Sequence, residues 1–402
     1  MPPTFVLRAL HAHFRLGSSE NAAALAAYAA RSDAPEQMRV EALKLLGQWA
    51  KPPRRDQVTG LTQNLPPREV KIAAEAIQRS LGGIFAGPNA VRQQAAKVAA
   101  DLGIKEVAPL LLTLAADDSR PPIARVEALQ ALESLHDANL EKAMRSALKD
   151  ADARVRSEGR RLLSHLHPVE AFAELERALT RGQTVERQQA FAVLGDMKSP
   201  RADTELSKWL DSLLDDKLAP ETRLDLLDAA SRRKSAAVAE KLKRYAAMNN
   251  NGDPLSPYRD ALVGGDAEMG RRIFLGKAEV SCLRCHKVQG VGGEVGPDLT
   301  GIGSKQKRDY LLESIVAPNK QIAKGFETLV LTLTNGKSVT GVLKSEDARE
   351  VRLMTAEGQT IVVAKDKIDE RVAGKSAMPE DLTKNLTRRE IRDLVEFLAG
   401  LK

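Results

Sequence analysis

The sequence predicts a mainly α-helical chain in two parts: a stack of helical repeats, then a smaller helical domain with a small antiparallel β insertion. Three observations favour this fold class. Only 3% of the 402 residues are aromatic while 43% are hydrophobic, so Ala, Leu, Val and Ile must form most of the core, as in packed helices. An arginine-led helical pattern recurs through the first half, and alternating apolar and polar residues mark a later segment. A chain of this length is also expected to hold at least two domains.

The repeats share an arginine, a small or apolar residue three positions later, and then an apolar helical face. The six arginines are Arg39, Arg92, Arg125, Arg156, Arg187 and Arg223. After a long first spacing they recur every 31 to 36 residues, which indicates stacked helical hairpins that bury their faces against one another. The long first spacing holds an insertion at 51–87, whose prolines predict a loop and whose second part predicts an extra helix.

These units resemble HEAT repeats over roughly residues 35–245. A HEAT-like α-solenoid is either a scaffold or a concave surface for a protein partner. We favour the scaffold because no cluster of aromatic anchors or of one-signed charge marks a groove. Asn, Gly and Pro interrupt the pattern at 248–260. We therefore predict a helical repeat domain at 1–247, a linker at 248–260 and a second domain at 261–402.

Charge and hydropathy exclude two classes of partner. The net charge of +7 is spread thinly, since residues 251–402 carry 24 Lys and Arg against 22 Asp and Glu. With no basic arm and no nucleic-acid-binding motif, we expect no nucleic-acid partner. The longest apolar stretch, at 107–116, is far shorter than the roughly 20 residues that cross a bilayer. We therefore expect no membrane span.

The only two cysteines lie in the segment SCLRCHKVQG, as Cys282 and Cys285, and His286 follows directly. Residues at i, i+3 and i+4 of a helical turn project from one face, so two sulfurs and an imidazole can address one flat ligand. This pattern suits c-type haem attachment, with His286 below the iron. A zinc site needs four ligands, and a thioredoxin-like dithiol normally follows a strand of a parallel sheet. The chain offers neither context, and we favour one haem c.

The flanks of the motif supply a helix and a turn. A helix is expected to begin after Asp266, which caps it, with Ile273 and Phe274 on its buried side. Beyond the motif, a Gly-Pro turn can aim the carbonyl of Pro297 at the far nitrogen of the His286 imidazole. Such a bond would fix the tautomer and strengthen ligation of iron. The alternative interpretation of this turn is an ordinary surface turn.

Methionines are the candidates for the opposite iron ligand, because no histidine follows His286. Met378 lies in a loop before the final helix, where Pro379 restricts the backbone and keeps the thioether out of a helix. We favour Met378 over Met269 and Met354, which packing explains more simply. His/Met ligation raises the reduction potential relative to bis-His ligation, which suits electron transfer.

Residues 326–371 are rich in β-forming residues. Apolar and polar residues alternate around Asn335 and Gly336, a strong hairpin signal, and a second pair of strands turns at Glu357 and Gly358. We expect a small antiparallel insertion that either shields one haem edge or docks an electron donor. Three residues are further candidates to contact the haem propionates: Arg308, Tyr310 and Lys324.

Five segments follow one another between residues 264 and 402, namely GDAEMGRRIF, CLRCH, GPDLTGIG, YLLESIVAPNKQIAKGFE and SAMPEDLTKNLTRREIRDLVEFL. In this order they resemble the haem-binding c-type cytochrome domain of large HEAT-repeat proteins of the planctomycete and verrucomicrobial type. The resemblance implies an all-α, class I-like cytochrome c domain with the same β insertion. It also implies the site: attachment at Cys282 and Cys285, iron ligands His286 and Met378, and the Pro297 carbonyl on the proximal histidine.

The expected function is electron transfer through one haem c on a HEAT-repeat scaffold, with a redox partner protein. One alternative is the electron-accepting end of a larger propeller-type dehydrogenase, because proteins of this family often carry an upstream β-propeller. The other is a protein-binding scaffold with a redox-sensing haem domain. No catalytic residue is predicted, and we do not expect the chain to be an enzyme on its own.

The expected location is periplasmic or otherwise exported, because haem c is attached after export. The first residues lack the basic start, unbroken apolar core and cleavage site of a secretory signal. We therefore expect a missing upstream region or a misassigned start.

Overall fold

The chain is mainly helical and carries a small antiparallel sheet, as the sequence predicts. The computed structural model describes residues 3–56, 58, 61–249, 252–277 and 279–402. Two compact units comprise residues 1–193 and 194–402. This division falls ahead of the predicted linker at 248–260, of which Asn250 and Asn251 lie outside the described residues. None of the helices in the described ranges is long and apolar enough to cross a membrane.

The first unit contains the helices that carry most of the repeat arginines. Its helices are α1 Pro3–Leu16, α2 Ser19–Ala30, α3 Glu36–Gly47, α4 Val70–Phe85, α5 Asn89–Asp101, α6 Ala108–Ala116, α7 Pro122–Ser134, α8 Leu140–Ala147, α9 Ala153–Leu166, α10 Pro168–Arg181 and α11 Thr184–Asp196, which runs into the second unit. The extra helix predicted within the insertion is confirmed as α4. Helices α3, α5, α7 and α9 pack side by side in chain order, so successive arginine-led helices are neighbours in space.

Two of the repeat arginines, Arg39 and Arg125, bind the end of the preceding helix. Arg39 Nε donates to the Ala29 carbonyl oxygen at 2.7 Å, and Arg125 Nε donates to that of Ala115 at 3.1 Å. Both acceptors lie in the last turn of the helix before, where backbone carbonyls lack intrahelical donors. A cation there also opposes the negative end of the helix dipole. Both arginines are buried, and Arg125 is neutralised by Asp150.

The second unit contains the remaining helices and both sheets. Its helices are α12 Pro200–Leu214, α13 Pro220–Ser231, α14 Ala236–Asn249, α15 Ala267–Gly276, α16 Cys282–Cys285, α17 Ile302–Lys305, α18 Arg308–Val316 and α19 Arg388–Gly400. Short 3₁₀ turns lie at Ser256–Ala261, Lys365–Lys367 and Leu382–Asn385. Helix α19 packs against α15, α17 and α18, so the final helix is the centre of this unit.

The sheet predicted at 326–371 has five antiparallel strands in the order β6-β5-β4-β3-β7. After the short pair β1 Lys287–Val288 and β2 Val291–Gly292, its strands are β3 Thr328–Leu333, β4 Ser338–Glu346, β5 Glu350–Met354, β6 Thr360–Ala364 and β7 Ile368–Ala373. Both predicted hairpins are confirmed, as β3–β4 and β5–β6. The sequence did not predict β7, which pairs with β3 and so returns the chain to the start of the insertion.

Helices α15 and α19 cross at van der Waals distance. The predicted cap is confirmed, since the Asp266 side chain accepts hydrogen bonds from two backbone N–H groups in the first turn of α15. A Cβ atom on Gly270 would lie only 1.9 Å from the carbonyl oxygen of Asp393, so only glycine permits this crossing. The rings of Phe274 and Phe397 pack nearby with centroids 5.5 Å apart.

A buried ion cluster attaches α13 to α19. Asp225, 1% exposed, binds Arg392 at 2.6 Å and Arg389 at 3.2 Å. Asp228, one turn later, binds Arg389 at 3.1 Å and Arg388 at 2.7 Å. Removing one partner of a buried pair leaves an uncompensated charge and typically costs about 3–5 kcal/mol. The position of α19 therefore depends on residues upstream of the predicted second domain.

Replacing Asp393 by asparagine should change how stability depends on pH. Burial raises the pKa of the Asp393 carboxyl from 3.8 to about 6, although the carboxyl accepts a hydrogen bond from the Asp266 backbone N–H. The folded state therefore binds this proton more tightly than the unfolded state, and the contribution to stability is lost as pH rises from about 4 to about 6. Asp393→Asn keeps an acceptor oxygen and removes the titration.

We expect the free energy of unfolding of Asp393→Asn, relative to wild type, to rise by about 2 kcal/mol between pH 4 and pH 7. Urea unfolding at half-unit pH steps measures it. The exposed Asp369→Asn is the control for loss of one negative charge. A difference between Asp393→Asn and wild type that stays constant across this range would contradict the assignment.

Candidate cofactor site

A cavity of about 250 Å³ lies in the second unit. Apolar side chains from α15, α18 and α19 form much of its wall, among them Phe274, Leu311, Ile315, Leu394 and Leu398. The wall also contains all five residues that the sequence singles out: Cys282, Cys285, His286, Pro297 and Met378. A larger groove of about 630 Å³ beside α13 and α14 has none of these five in its lining. The smaller cavity is therefore the candidate site.

The cysteines lie one helical turn apart on this wall. Helix α16 is a single turn from Cys282 to Cys285, and the His286 N–H closes it by donating to the Cys282 carbonyl oxygen at 2.9 Å. His286 itself leaves the helix with extended backbone angles. Both thiols are part-buried and form no disulfide. The predicted helical turn therefore holds for the cysteines and ends at the histidine, although all three side chains line the cavity.

The loop after β2 wraps around this turn. Gly293 N–H donates to the Leu283 carbonyl oxygen at 3.0 Å, and Gly296 N–H donates to that of Cys285 at 2.8 Å. These backbone bonds hold the loop against α16. As a result, Pro297 lies beside the His286 imidazole.

The imidazole of His286 is held by one hydrogen bond. Its Nδ1 lies 2.9 Å from the Pro297 carbonyl oxygen. A carbonyl only accepts, so the proton is assigned to Nδ1 and the lone pair to Nε2. Burial lowers the pKa of His286, while the bond to Pro297 acts in the opposite direction. The neutral ring with a free Nε2 lone pair is the form of histidine that binds metals.

Gly296 allows the imidazole to lie directly on the backbone. A Cβ atom at this position would lie 2.6 Å from Cε1 and 2.8 Å from Nδ1 of His286. The two residues of the Gly296-Pro297 pair therefore have different structural roles. Glycine gives room for the ring, and the proline residue supplies the acceptor.

Met378 reaches the cavity from the segment between β7 and the last 3₁₀ turn. It is part-buried and packs against the core of the second unit. Its N–H donates to Ser376 Oγ at 3.2 Å, and Ser376 N–H donates to Asn319 Oδ1 at 2.7 Å. Met269 and Met354 are absent from the lining. The five-stranded sheet spans about half of the 92 positions that separate His286 from Met378, and both residues lie on the wall of one cavity.

The sheet adjoins the cavity through Phe326. This ring is part of the lining, and Lys344 Nζ lies 4.8 Å from its centroid. Lys344 Nζ also donates to the Glu294 carbonyl oxygen at 2.7 Å, so one lysine holds the sheet against the loop after β2. The cation–π contact and the hydrogen bond fix the sheet beside the cavity.

Of the three candidates for propionate contacts, only Tyr310 lines the cavity. Arg308 is occupied elsewhere, because both of its terminal nitrogens bind Glu396 on α19, at 2.8 and 2.7 Å. Lys324 is exposed and outside the lining. The charge of Arg308 pairs with Glu396 and ties α18 to α19, and its contact with a haem propionate stays a prediction. The sequence analysis also missed Gln321 and its neighbours, which do line the wall.

The cysteine thiols lack the electrostatics of a reactive pair. Burial raises the pKa of Cys282 to about 11 and also raises that of Cys285. A thiol–disulfide catalyst instead depends on a lowered cysteine pKa. Within the described ranges, no three His, Cys, Asp or Glu side chains form a group suited to a metal ion. The cavity offers one imidazole nitrogen, one thioether sulfur and two protonated thiols around an apolar space.

The chain was compared with protein-family models and with curated proteins, and none of either matches it.

Replacing Gly296 by alanine should displace the His286 ring. The added methyl group would meet ring atoms below van der Waals distance, and overpacking of this kind typically costs about 1–3 kcal/mol. We expect urea unfolding of the full chain to show a loss of this size. Gly276→Ala is the matched control, because a Cβ atom there meets nothing within 4 Å. Equal unfolding midpoints for Gly296→Ala and wild type would contradict the close contact.

Proposed function

We propose that this chain is an electron-transfer protein that carries one covalently bound haem c. The observation that carries the proposal is the convergence of two cysteines, a hydrogen-bonded histidine and a methionine on one apolar cavity. A haem is flat and largely apolar, and in electron-transfer cytochromes c its iron is held by a histidine and a methionine. The residues around the cavity match these needs.

Cys282 and Cys285 are the attachment residues in this proposal. Their spacing of one helical turn suits two thioether bonds to one macrocycle, and both thiols are on the cavity wall. Their raised pKa values keep them as thiols rather than as free thiolates near neutral pH. The covalent bonds would prevent loss of the cofactor.

His286 and Met378 are the iron ligands in this proposal. Nε2 of His286 is the nitrogen donor, because the Pro297 carbonyl holds the ring proton on Nδ1. The haem supplies a one-electron couple between ferrous and ferric iron. The thioether of Met378 and the apolar walls would both favour the less charged ferrous state and so would raise the reduction potential. No side chain of the site has to take part in bond chemistry during electron transfer.

The remaining parts of the proposal rest chiefly on the sequence resemblance. We assign 261–402 to a class I-like cytochrome c domain and 1–247 to a HEAT-like scaffold, which the side-by-side packing of α3, α5, α7 and α9 supports. The partner is a redox protein or an upstream dehydrogenase domain. The location is periplasmic or otherwise exported, because haem c is attached after export.

Covalent attachment can be tested directly. The chain should be expressed with an export signal and haem-attachment machinery, then stained for haem after denaturing electrophoresis and examined by reduced-minus-oxidised spectra. We expect a stained band and a c-type spectrum. The double variant Cys282→Ser/Cys285→Ser should give no stained band. A folded, exported wild-type chain without covalent haem would refute the proposal.

Met378→Ala tests the distal ligand. Ferric haem with a methionine ligand has a weak charge-transfer band in the far red, and we expect this band to disappear in the variant. The reduction potential should also fall, because the thioether no longer favours ferrous iron. Met269→Ala on α15 is the control and should keep the band. Survival of the band in Met378→Ala would show that another residue is the ligand.

A further inference from the structure

Asn319 joins one wall of the cavity to the segment that carries Met378. It follows Pro318, a lining residue just beyond α18. Its Oδ1 accepts the Ser376 N–H at 2.7 Å, and its Nδ2 donates to the Glu380 carboxylate. These two partners lie on either side of Met378 in the chain. One carboxamide therefore holds the methionine segment at both ends.

The segment between these two contacts is itself held by short-range bonds. Ser376 Oγ accepts the Met378 N–H at 3.2 Å, so fixing Ser376 also fixes the backbone of the methionine. Lys375 Nζ binds the Glu380 carboxylate at 2.8 Å. The position of both ends relative to the cavity wall depends on Asn319.

The chemistry of the two contacts requires an amide. The Ser376 N–H needs an acceptor, while the Glu380 carboxylate needs a donor. Asparagine supplies both from one short side chain. Aspartate at this position would accept the first bond and repel the second partner, and alanine would offer neither bond.

We propose that Asn319 is a positioning residue for Met378, holding residues 376–380 so that the thioether faces the cavity. This inference rests on the proposed function, in which Met378 is the distal iron ligand. A methionine side chain has three rotatable bonds and is flexible. How well its thioether competes with other ligands for the iron therefore depends on how firmly its backbone is held. Loosening the segment reduces the fraction of molecules in which the thioether is placed for ligation.

The test is equilibrium binding of imidazole to the ferric haem form of the full chain. Imidazole must displace Met378, so its apparent affinity reports how firmly the methionine is held. Asn319→Ala removes two hydrogen bonds, one of them to a carboxylate. We expect about tenfold tighter imidazole binding, with a weaker far-red band.

Asn335→Ala is the matched control, because it removes a side-chain bond to the backbone in the β3–β4 turn. It should leave the imidazole affinity unchanged.

A double-mutant cycle separates positioning from a general loosening of the unit. In the Met378→Ala background no thioether competes, so adding Asn319→Ala should change imidazole affinity less than twofold. An equal tenfold change in both backgrounds would overturn the inference. Covalent haem content and thermal unfolding of each variant report whether it folds.

A second variant tests the exchange of donor and acceptor. Asn319→Asp should loosen residues 376–380 as Asn319→Ala does, because the new carboxylate repels the carboxylate of Glu380. Adding Glu380→Gln restores a donor opposite an acceptor, and we expect imidazole affinity within twofold of wild type.

Absence of covalent haem in the wild type would refute the proposed function itself. A wild type with haem and the far-red band, but an unchanged affinity in Asn319→Ala, would refute only the role of Asn319.

Discussion

The arrangement of the cavity depends on the hydrogen bond from His286 Nδ1 to the Pro297 carbonyl oxygen, 2.9 Å long. It places the ring proton on Nδ1, so the unprotonated Nε2 is the atom that can bind a metal in the cavity. The bond requires the loop after β2 to wrap around α16 through two backbone hydrogen bonds. The ring can approach this loop only because Gly296 has no side chain. In the proposed haem site, the geometry of the Cys-x-x-Cys-His segment thus depends on the eleven residues that follow it.

The part of the cavity wall that α19 contributes depends on residues much further away in the sequence. Helix α19 contributes Leu394 and Leu398 to the cavity, and it is held by its crossing with α15 at Gly270. The buried Asp225 on α13 neutralises two of its arginines. Helix α13 carries the last of the repeat arginines, so the repeat region contributes directly to the unit that contains the site. In the proposed electron carrier, α13 therefore supports the cofactor cavity by holding α19.

The sequence predicted the features that leave a local signature. The cap at Asp266, the two β hairpins and the helix inside the 51–87 insertion follow from patterns within a few residues. The cavity position of Met378 was foreseen by elimination, since few other ligands follow the motif. The pairing of β7 with β3, the Arg308–Glu396 pair and the contacts of Asn319 were missed. These join residues dozens of positions apart and depend on how elements dock, which no short pattern reports.

Intact-protein mass spectrometry of the exported chain tests the central claim most directly, because it counts both the cofactor and the bonds that hold it. The account predicts the mass of the chain plus one haem, with neither Cys282 nor Cys285 open to alkylation after denaturation. Alkylation of both cysteines in a folded, exported chain that has the mass of the polypeptide alone would contradict the account.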